Sequence, residues 1–436
     1  MKCAFYTLGC KVNQYESQAM SQDMERHGFT CVSADEEADV YVINSCTVTA
    51  ESDRKTRQAV RRFRKNHPDS IIVLTGCMPQ AEPESARGLP EADVIIGNSS
   101  NGKLFAYIMR FINTRRQVFE IEPHQLGEKF NGSIINDFSD RTRAIVKIED
   151  GCDRFCSYCI IPYARGRVRS KPVDDIKDEV ARLAEKGFRE VVLVGINLSA
   201  YGKDSGSNLV EAVKAVSEVD GILRVRLGSL EPDHITEEIM NGLAGIEKFC
   251  PQFHISLQSG CDKTLKRMNR HYNSVEYEDL CLKLRRIFPD CTLTTDVMVG
   301  FPEESRSDFD ISLDFVKKIA FEKVHVFPYS RRPGTPAARM EDQVDSREKQ
   351  VRAEIMADEA EKIRKEFLLS QIGKELEIIP EGHHEGLIRG YTANYIPVKV
   401  TNDVETGEPV KVIITGVQGD FCIGEAAGSS NNKHET

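Results

Sequence analysis

Three cysteines in the run Gly151-Cys152-Asp153-Arg154-Phe155-Cys156-Ser157-Tyr158-Cys159 constrain this chain more than any other feature. Thiolates spaced CxxxCxxC on one tight loop can hold three corners of a [4Fe-4S] cube, which leaves the fourth iron without a protein ligand and open to chemistry. The competing reading is a structural zinc site. Zinc usually takes four protein ligands, with a second CxxC or a His pair at matching distance. No His or Cys lies close behind Cys159.

Thirteen cysteines in 436 residues is an odd number, which forbids complete internal pairing and fits thiols kept reduced. The chain opens with Met1-Lys2-Cys3-Ala4-Phe5 rather than with a charged segment and an apolar secretory core. No apolar run approaches the roughly 20 residues that span a bilayer. The expectation is a soluble cytoplasmic protein with no membrane partner, divided by its length into two to four domains of about 100 to 200 residues each. A formal net charge of -10 argues against indiscriminate nucleic-acid binding, so any RNA contact must come from local basic patches.

Residues 1–125 read as an α/β domain with a parallel sheet. Candidate strands at Lys2 to Leu8, Val40 to Ile43, Ile71 to Leu74 and Val94 to Ile96 alternate with helical stretches such as Tyr15 to His27 and Ser52 to Asn66. Ligands of such open sheets gather beyond the carboxyl ends of the strands. Cys10, Cys46 and Cys77 each stand just past such an end. Any one of them alone reads as a small buried residue; their shared position predicts a second three-thiol cluster site with its own open iron.

After a linker over 126–140, residues 141–370 repeat a strand-then-helix rhythm. Strands ending at Ile148, Val194, Leu227, Leu257, Val299 and Phe327, with helices at Pro172 to Lys186, Leu209 to Val219, Val275 to Phe288 and Arg306 to Lys318, predict a partial (β/α)6 barrel. Such barrels carry their chemistry on loops at the carboxyl ends of strands. Gly195, Asn197, Ser229, Glu231, Gln258, Ser259, Gly300 and Pro302 fall there. Cys250, Cys261, Cys281 and Cys291 lack cluster spacing and read as structural or free thiols.

A charged helix from Ser346 to Ser370 leads into strand-rich residues 371–430, patterned as a small antiparallel barrel, and a tail over 431–436. Residues 371–436 carry five Lys or Arg against ten Asp or Glu, so bulk charge there cannot grip phosphate. Better candidates are Arg54, Arg57, Arg61 and Arg64 or Lys65, which share one helix face just after the Cys46 loop. A second run, Arg165, Arg167, Arg169 and Lys171, follows the CxxxCxxC loop, and Arg331 and Arg332 follow the last strand. A solvated surface is the plain alternative for each.

The CxxxCxxC loop is similar to that of the radical S-adenosylmethionine enzymes. Together with Thr7-Leu8-Gly9-Cys10-Lys11-Val12-Asn13-Gln14-Tyr15-Glu16, Asn44-Ser45-Cys46-Thr47-Val48-Thr49 and Thr75-Gly76-Cys77, it resembles the methylthiotransferases over nearly the whole chain. The Gly-Cys-Lys-Val-Asn-Gln stretch resembles the branch that modifies N6-threonylcarbamoyladenosine in tRNA. The resemblance implies two [4Fe-4S] clusters and S-adenosylmethionine, with Cys152, Cys156 and Cys159 at the radical cluster and Cys10, Cys46 and Cys77 at the sulfur-donating one. It assigns Gly195 and Asn197 to the methionyl amine, Ser229 and Glu231 to the ribose, Tyr158 to adenine and Gln258 to the same cofactor pocket. The two basic runs offer RNA contacts from Arg54, Arg57, Arg61, Arg165 and Arg167, and the C-terminal module resembles the RNA-binding TRAM barrel. The partners implied are a tRNA anticodon stem-loop, a flavodoxin- or ferredoxin-like electron donor and a sulfur donor. Alternatives within the chemistry are the isopentenyladenosine branch and a ribosomal-protein aspartate methylthiotransferase; outside it stands a noncatalytic iron-sulfur RNA-binding protein.

Overall fold

The computed structural model describes residues 1–132, 135, 142–384, 387–402 and 404–427. Parts of the expected linker over 126–140 and all of the expected tail over 431–436 lie outside them.

Six short strands open the chain: β1 (Lys2–Thr7), β2 (Thr30–Val32), β3 (Val40–Ser45), β4 (Ile71–Gly76), β5 (Val94–Ile96) and β6 (Val118–Glu120). They pair in the order β2-β1-β3-β4-β5-β6, every pair parallel. Parallel neighbours need crossovers, and α1 (Lys11–Arg26), α2 (Ala50–Asn66), α3 (Cys77–Ala81), α4 (Pro83–Arg87) and α5 (Leu104–Thr114) run between or after them. β3 and β4 are buried along their whole length because apolar cores cover both sheet faces.

Helix α1 begins four residues ahead of the expected Tyr15. Asn13 and Glu16 are buried in its first turns and engaged in hydrogen bonds, so they interrupt the apolar period by which a helix is read. One part of α1 (Met20, Met24) packs on the sheet and another (Val12, Tyr15, Ala19) joins the core of the central domain.

The central domain contains β7 (Arg143–Lys147), β8 (Glu149–Asp150), β9 (Arg169–Ser170), β10 (Glu190–Val194), β11 (Arg224–Leu227), β12 (Ser229–Leu230), β13 (Gln252–Ile255), β14 (Thr292–Val299) and β15 (Lys323–Pro328). Its helices are α6 (Ile161–Arg165), α7 (Val173–Glu185), α8 (Leu209–Ser217), α9 (Glu237–Ala244), α10 (Asp262–Arg267), α11 (Ser274–Ile287), α12 (Arg306–Ile319) and α13 (Ser346–Leu369). Strands β11-β10-β7 form one sheet and β12-β13-β14-β15 another. Only Gly228 separates β11 from β12, so one stretch of chain passes from the first sheet to the second and makes an open barrel of six parallel β/α units. β8 and β9 form a separate antiparallel pair that flanks the cysteine loop.

Beyond α13, β16 (Glu375–His384), β17 (Leu387–Thr392), β18 (Pro397–Val400), β19 (Val410–Gln418) and β20 (Phe421–Ala426) close a barrel in the order β16-β17-β18-β20-β19. It is not wholly antiparallel as expected: β18 and β20 run parallel. Five strands in a closed ring cannot alternate direction throughout, so at least one pair must agree. This small barrel docks on the amino-terminal ends of the central strands. Arg224 donates to the Tyr391 carbonyl at 2.8 Å, Arg226 to the Ala393 carbonyl at 2.8 Å and to Glu190 at 2.9 Å, and the Thr292 hydroxyl to the Asn394 carbonyl at 2.6 Å. The opposite mouth, where the strands end, is left to the cysteine loops.

Arg226→Ala should strand Glu190 as an unpaired buried carboxylate, costing about 3–5 kcal/mol. The expected result is a lower unfolding midpoint and earlier proteolytic release of the C-terminal barrel, with the cysteine loops untouched.

Candidate active site

Strands β1, β3 and β4 are neighbours in register, Thr7 opposite Asn44 and Asn44 opposite Thr75. Their carboxyl ends therefore stop at one level. Cys10 caps α1, Cys46 follows β3 directly and Cys77 opens α3, so three thiols far apart in sequence meet. A side chain on Gly9, whose φ is +109°, would stand 2.9 Å from the Cys46 Cβ and 3.2 Å from its sulfur. Glycine there lets the two loops close. Burial pushes the Cys77 thiol up to about 12, with Arg165 opposing and Glu16, Cys46 and Cys10 adding. Burial raises the Cys46 thiol as well, with Cys10 adding.

The CxxxCxxC loop is tied on both sides. The Cys152 N–H donates to the Gly166 carbonyl at 3.0 Å, that of Ser157 to the Met268 carbonyl at 2.9 Å, and that of Cys159 to the Cys156 carbonyl at 2.9 Å. Burial pushes Cys152 up to about 12 and Cys159 higher, each with neighbouring loop thiols adding. Two sets of three thiols on neighbouring turns fit the corners of two [4Fe-4S] clusters.

Between the sets lies a guanidinium that the sequence placed on the surface. Arg165 is 1% exposed. Its Nε donates to the Cys77 sulfur at 3.3 Å, Nη1 to Glu16 at 2.5 Å and Asp150 at 3.3 Å, and Nη2 to Glu16 and Asn13 at 2.9 Å each. Lys147 meets Glu16 at 2.8 Å and Asp150 at 2.7 Å. Arg165 is thus unavailable to RNA, and Arg169 and Lys171 of the same run are also buried, against Asp150 and Glu179.

At the open mouth of the large barrel, Asn197 and Glu149 meet: the Asn197 N–H donates to Glu149 Oε2 at 2.7 Å. A Cβ on Gly195 would lie 2.5 Å from that same oxygen, so Gly195 makes room for Glu149. Burial holds the Glu149 carboxyl well above the usual carboxylate range, the Asn197 N–H opposing. Gln258, at φ +65°, is kept in a left-handed conformation by backbone bonds to Asp296 and Met298 at 2.8 Å each. Glu149 Oε1, Asn197 Oδ1 and Gln258 Oε1 are buried without a hydrogen-bond partner. Three orphaned acceptors beside the loop fit a ligand bearing an ammonium or hydroxyl donors, as S-adenosylmethionine does. Ser229 is exposed at the start of β12.

Glu231 pairs with Arg270, which sequence reasoning missed because a lone arginine between helices has no spacing signal. Arg270 Nη1 also reaches the Cys156 sulfur at 3.2 Å and the Tyr158 hydroxyl at 3.5 Å.

The basic helix is only partly as expected. Arg54, Arg57, Arg61, Arg62 and Lys65 line an open groove on α2. Arg54 is paired with Glu51 at 2.6 Å and Arg61 with Glu91 at 3.3 Å, both exposed. Arg64 instead turns inward to the Ser70 carbonyl at 2.9 Å and to Asp93. Arg167 keeps half its side-chain surface, beside Asp153 at 3.1 Å and over the Phe155 ring. Arg332 is buried against Asp53, Glu82 and the Thr47 hydroxyl, where it locks the loop after β15 to the Cys46 loop.

Residues 2–97 match the model of an uncharacterized protein family, UPF0004, and residues 146–316 that of the Radical SAM superfamily. The threonylcarbamoyladenosine tRNA methylthiotransferase MtaB of Thermotoga maritima is 40% identical over 393 residues, 89% of each chain. The protein of the same name from Bacillus subtilis is 38% identical over 94% of this chain and 93% of its own. The tRNA-2-methylthio-N(6)-dimethylallyladenosine synthase of Pelotomaculum thermopropionicum is 34% identical over 96% of each. In fold, the chain is similar to the radical S-adenosylmethionine methyltransferase TsrM from Kitasatospora setae, with a TM-score of 0.55 at 13% identity over 77% of this chain and 74% of that one. Two convergent cysteine triads, one at each set of strand ends, and relatives that match along almost the full length lead to one conclusion: the chain belongs to the radical S-adenosylmethionine methylthiotransferase family.

Proposed function

We propose that this protein converts N6-threonylcarbamoyladenosine beside the tRNA anticodon to its 2-methylthio derivative. The observation that carries the reading is the meeting of two three-thiol sites on one buried network, which answers a need to deliver a radical and a sulfur to the same carbon. Relatives named for this reaction at 38–40% identity support the substrate. The two [4Fe-4S] clusters and S-adenosylmethionine, when bound, supply the radical and the methylated sulfur that replace hydrogen at C2 of the adenine.

The chain supplies placement. Cys152, Cys156 and Cys159 hold one cluster, and Cys10, Cys46 and Cys77 the other. Asn197, Gln258 and Glu149 turn their unpartnered oxygens to the methionyl amine and the ribose, with Ser229 on the rim. Burial raises the Glu149 carboxyl, and its Oε2 accepts the Asn197 N–H while Oε1 faces the pocket. Arg270 fixes Glu231 and Tyr158 beside the Cys156 corner. Arg54, Arg57 and Arg61, with Arg167 nearer the radical loop, neutralise phosphates while the loop nucleotides splay toward the cavity.

Among the described residues, no helix is long and apolar enough to cross a membrane. The same reading puts the protein in the cytoplasm with a low-potential flavodoxin- or ferredoxin-like electron donor and a sulfur source. The dimethylallyladenosine relative motivates a second reading in which the neighbouring substituent differs. Mass spectrometry of tRNA nucleosides from cells lacking the gene separates the two. Loss of the methylthio mark on threonylcarbamoyladenosine alone supports the first, and its survival sinks it.

Cys156→Ala should abolish reductive cleavage of S-adenosylmethionine, read as 5'-deoxyadenosine in an anaerobic assay. Cys46→Ala should retain that cleavage while iron falls toward half and no thiomethylated nucleoside forms. Normal iron with normal product would make Cys46 an ordinary core residue.

Reversing charge at Arg54, Arg57 and Arg61 should weaken tRNA binding and lower its salt slope by about one unit per lost phosphate contact. Iron content and RNA-free cleavage should not change. Wild-type affinity with an unchanged slope would show that the helix face is merely solvated.

A further inference from the structure

We propose that Arg165 is a positioning residue for the cluster at Cys10, Cys46 and Cys77: it fixes the Cys77 corner against the radical loop and raises that cluster's reduction potential through the N–H it donates to the Cys77 sulfur. The inference rests on the two-cluster reading and goes beyond it.

Three elements meet on one guanidinium. Nε serves Cys77 at the start of α3, Nη2 serves Asn13 on α1 three residues past Cys10, and Nη1 reaches Asp150, two residues before Cys152. Glu16 takes both terminal nitrogens, at 2.5 and 2.9 Å. Every nitrogen of the fork is therefore in use, an arrangement that a lysine ammonium on a single axis cannot reproduce. The Asp150 carboxylate in turn accepts the Gly151 N–H at 2.9 Å, which carries the constraint into the CxxxCxxC loop.

Hydrogen bonds to the ligating sulfurs set the potential of an iron-sulfur cluster, because a donor stabilises the more negative reduced state. Arg165 brings a full positive charge as well. Without it, Glu16 and Asp150 remain beside the site with Lys147 and Arg169 as their cations, so the local field turns more negative and reduction becomes harder. Arg270 holds the equivalent position at Cys156 of the radical loop, so each cluster has one arginine on one sulfur.

The test uses Arg165→Gln and Arg165→Lys in the anaerobically reconstituted full chain. Iron and sulfide are counted first; a wild-type count of one cluster would overturn the two-cluster reading itself, whatever Arg165 does. The midpoint potential is then titrated by electron paramagnetic resonance in a Cys152→Ala, Cys156→Ala, Cys159→Ala background, which leaves only the cluster in question. The expected result is a more negative midpoint in Arg165→Gln and a smaller shift in the same direction in Arg165→Lys. If neither variant loads this cluster while the radical loop still takes its iron, the positioning role stands. A wild-type midpoint in either loaded variant overturns the proposal, as does loss of both clusters together, the mark of a residue that only holds the fold.

Discussion

The Arg165 guanidinium is enclosed by Glu16, Asn13, Asp150 and the Cys77 sulfur, with Lys147 closing the far side of both carboxylates. Buried charges are tolerable only when each is paired and hydrogen-bonded, and here the pairing crosses from the first domain to the second. Glu16 comes from α1, Cys77 from α3, and Arg165, Asp150 and Lys147 from the segments around the radical loop. The relative placement of the two cysteine sites is therefore set by electrostatics in a region where water cannot substitute for a missing partner.

Topology brings the rest of the site to that network. Three adjacent parallel strands end together and bring Cys10, Cys46 and Cys77 to one level, while the six strands of the large barrel point their carboxyl ends at Cys152, Cys156 and Cys159. Arg332 adds a second tie, from the loop after β15 to Thr47 and Asp53. The small C-terminal barrel docks at the other mouth through Arg224 and Arg226. It therefore stands away from the chemistry, and its acidic balance leaves the α2 face as the more basic surface beside a cysteine loop.

Much of this was legible in the chain. Central strands buried on both faces read as apolar runs, and the expected strand ends of the large barrel lie within two residues of those observed. The alternating arginines from Arg165 to Arg169 misled for a definite reason. A charge run in sequence looks the same whether it faces water or a partner's carboxylate, and Glu16 and Arg165 are 149 residues apart. Arg64, Arg332 and Arg270 escaped for the same reason, each being satisfied by groups that no local window contains.

The sequence by itself determined which cysteines stand together as candidate ligands, since three thiols on a short loop or just past neighbouring strand ends follow from local spacing and strand periodicity. It also determined the layered α/β architecture, because burial on one or both faces writes itself into the order of apolar residues. Only the tertiary structure decided which charges are buried, that Gly195 makes room for Glu149, and that five strands close with one parallel pair. Those outcomes depend on contacts between distant segments, where the energy of a polar group is fixed by the partner that folding brings to it rather than by its neighbours in the chain.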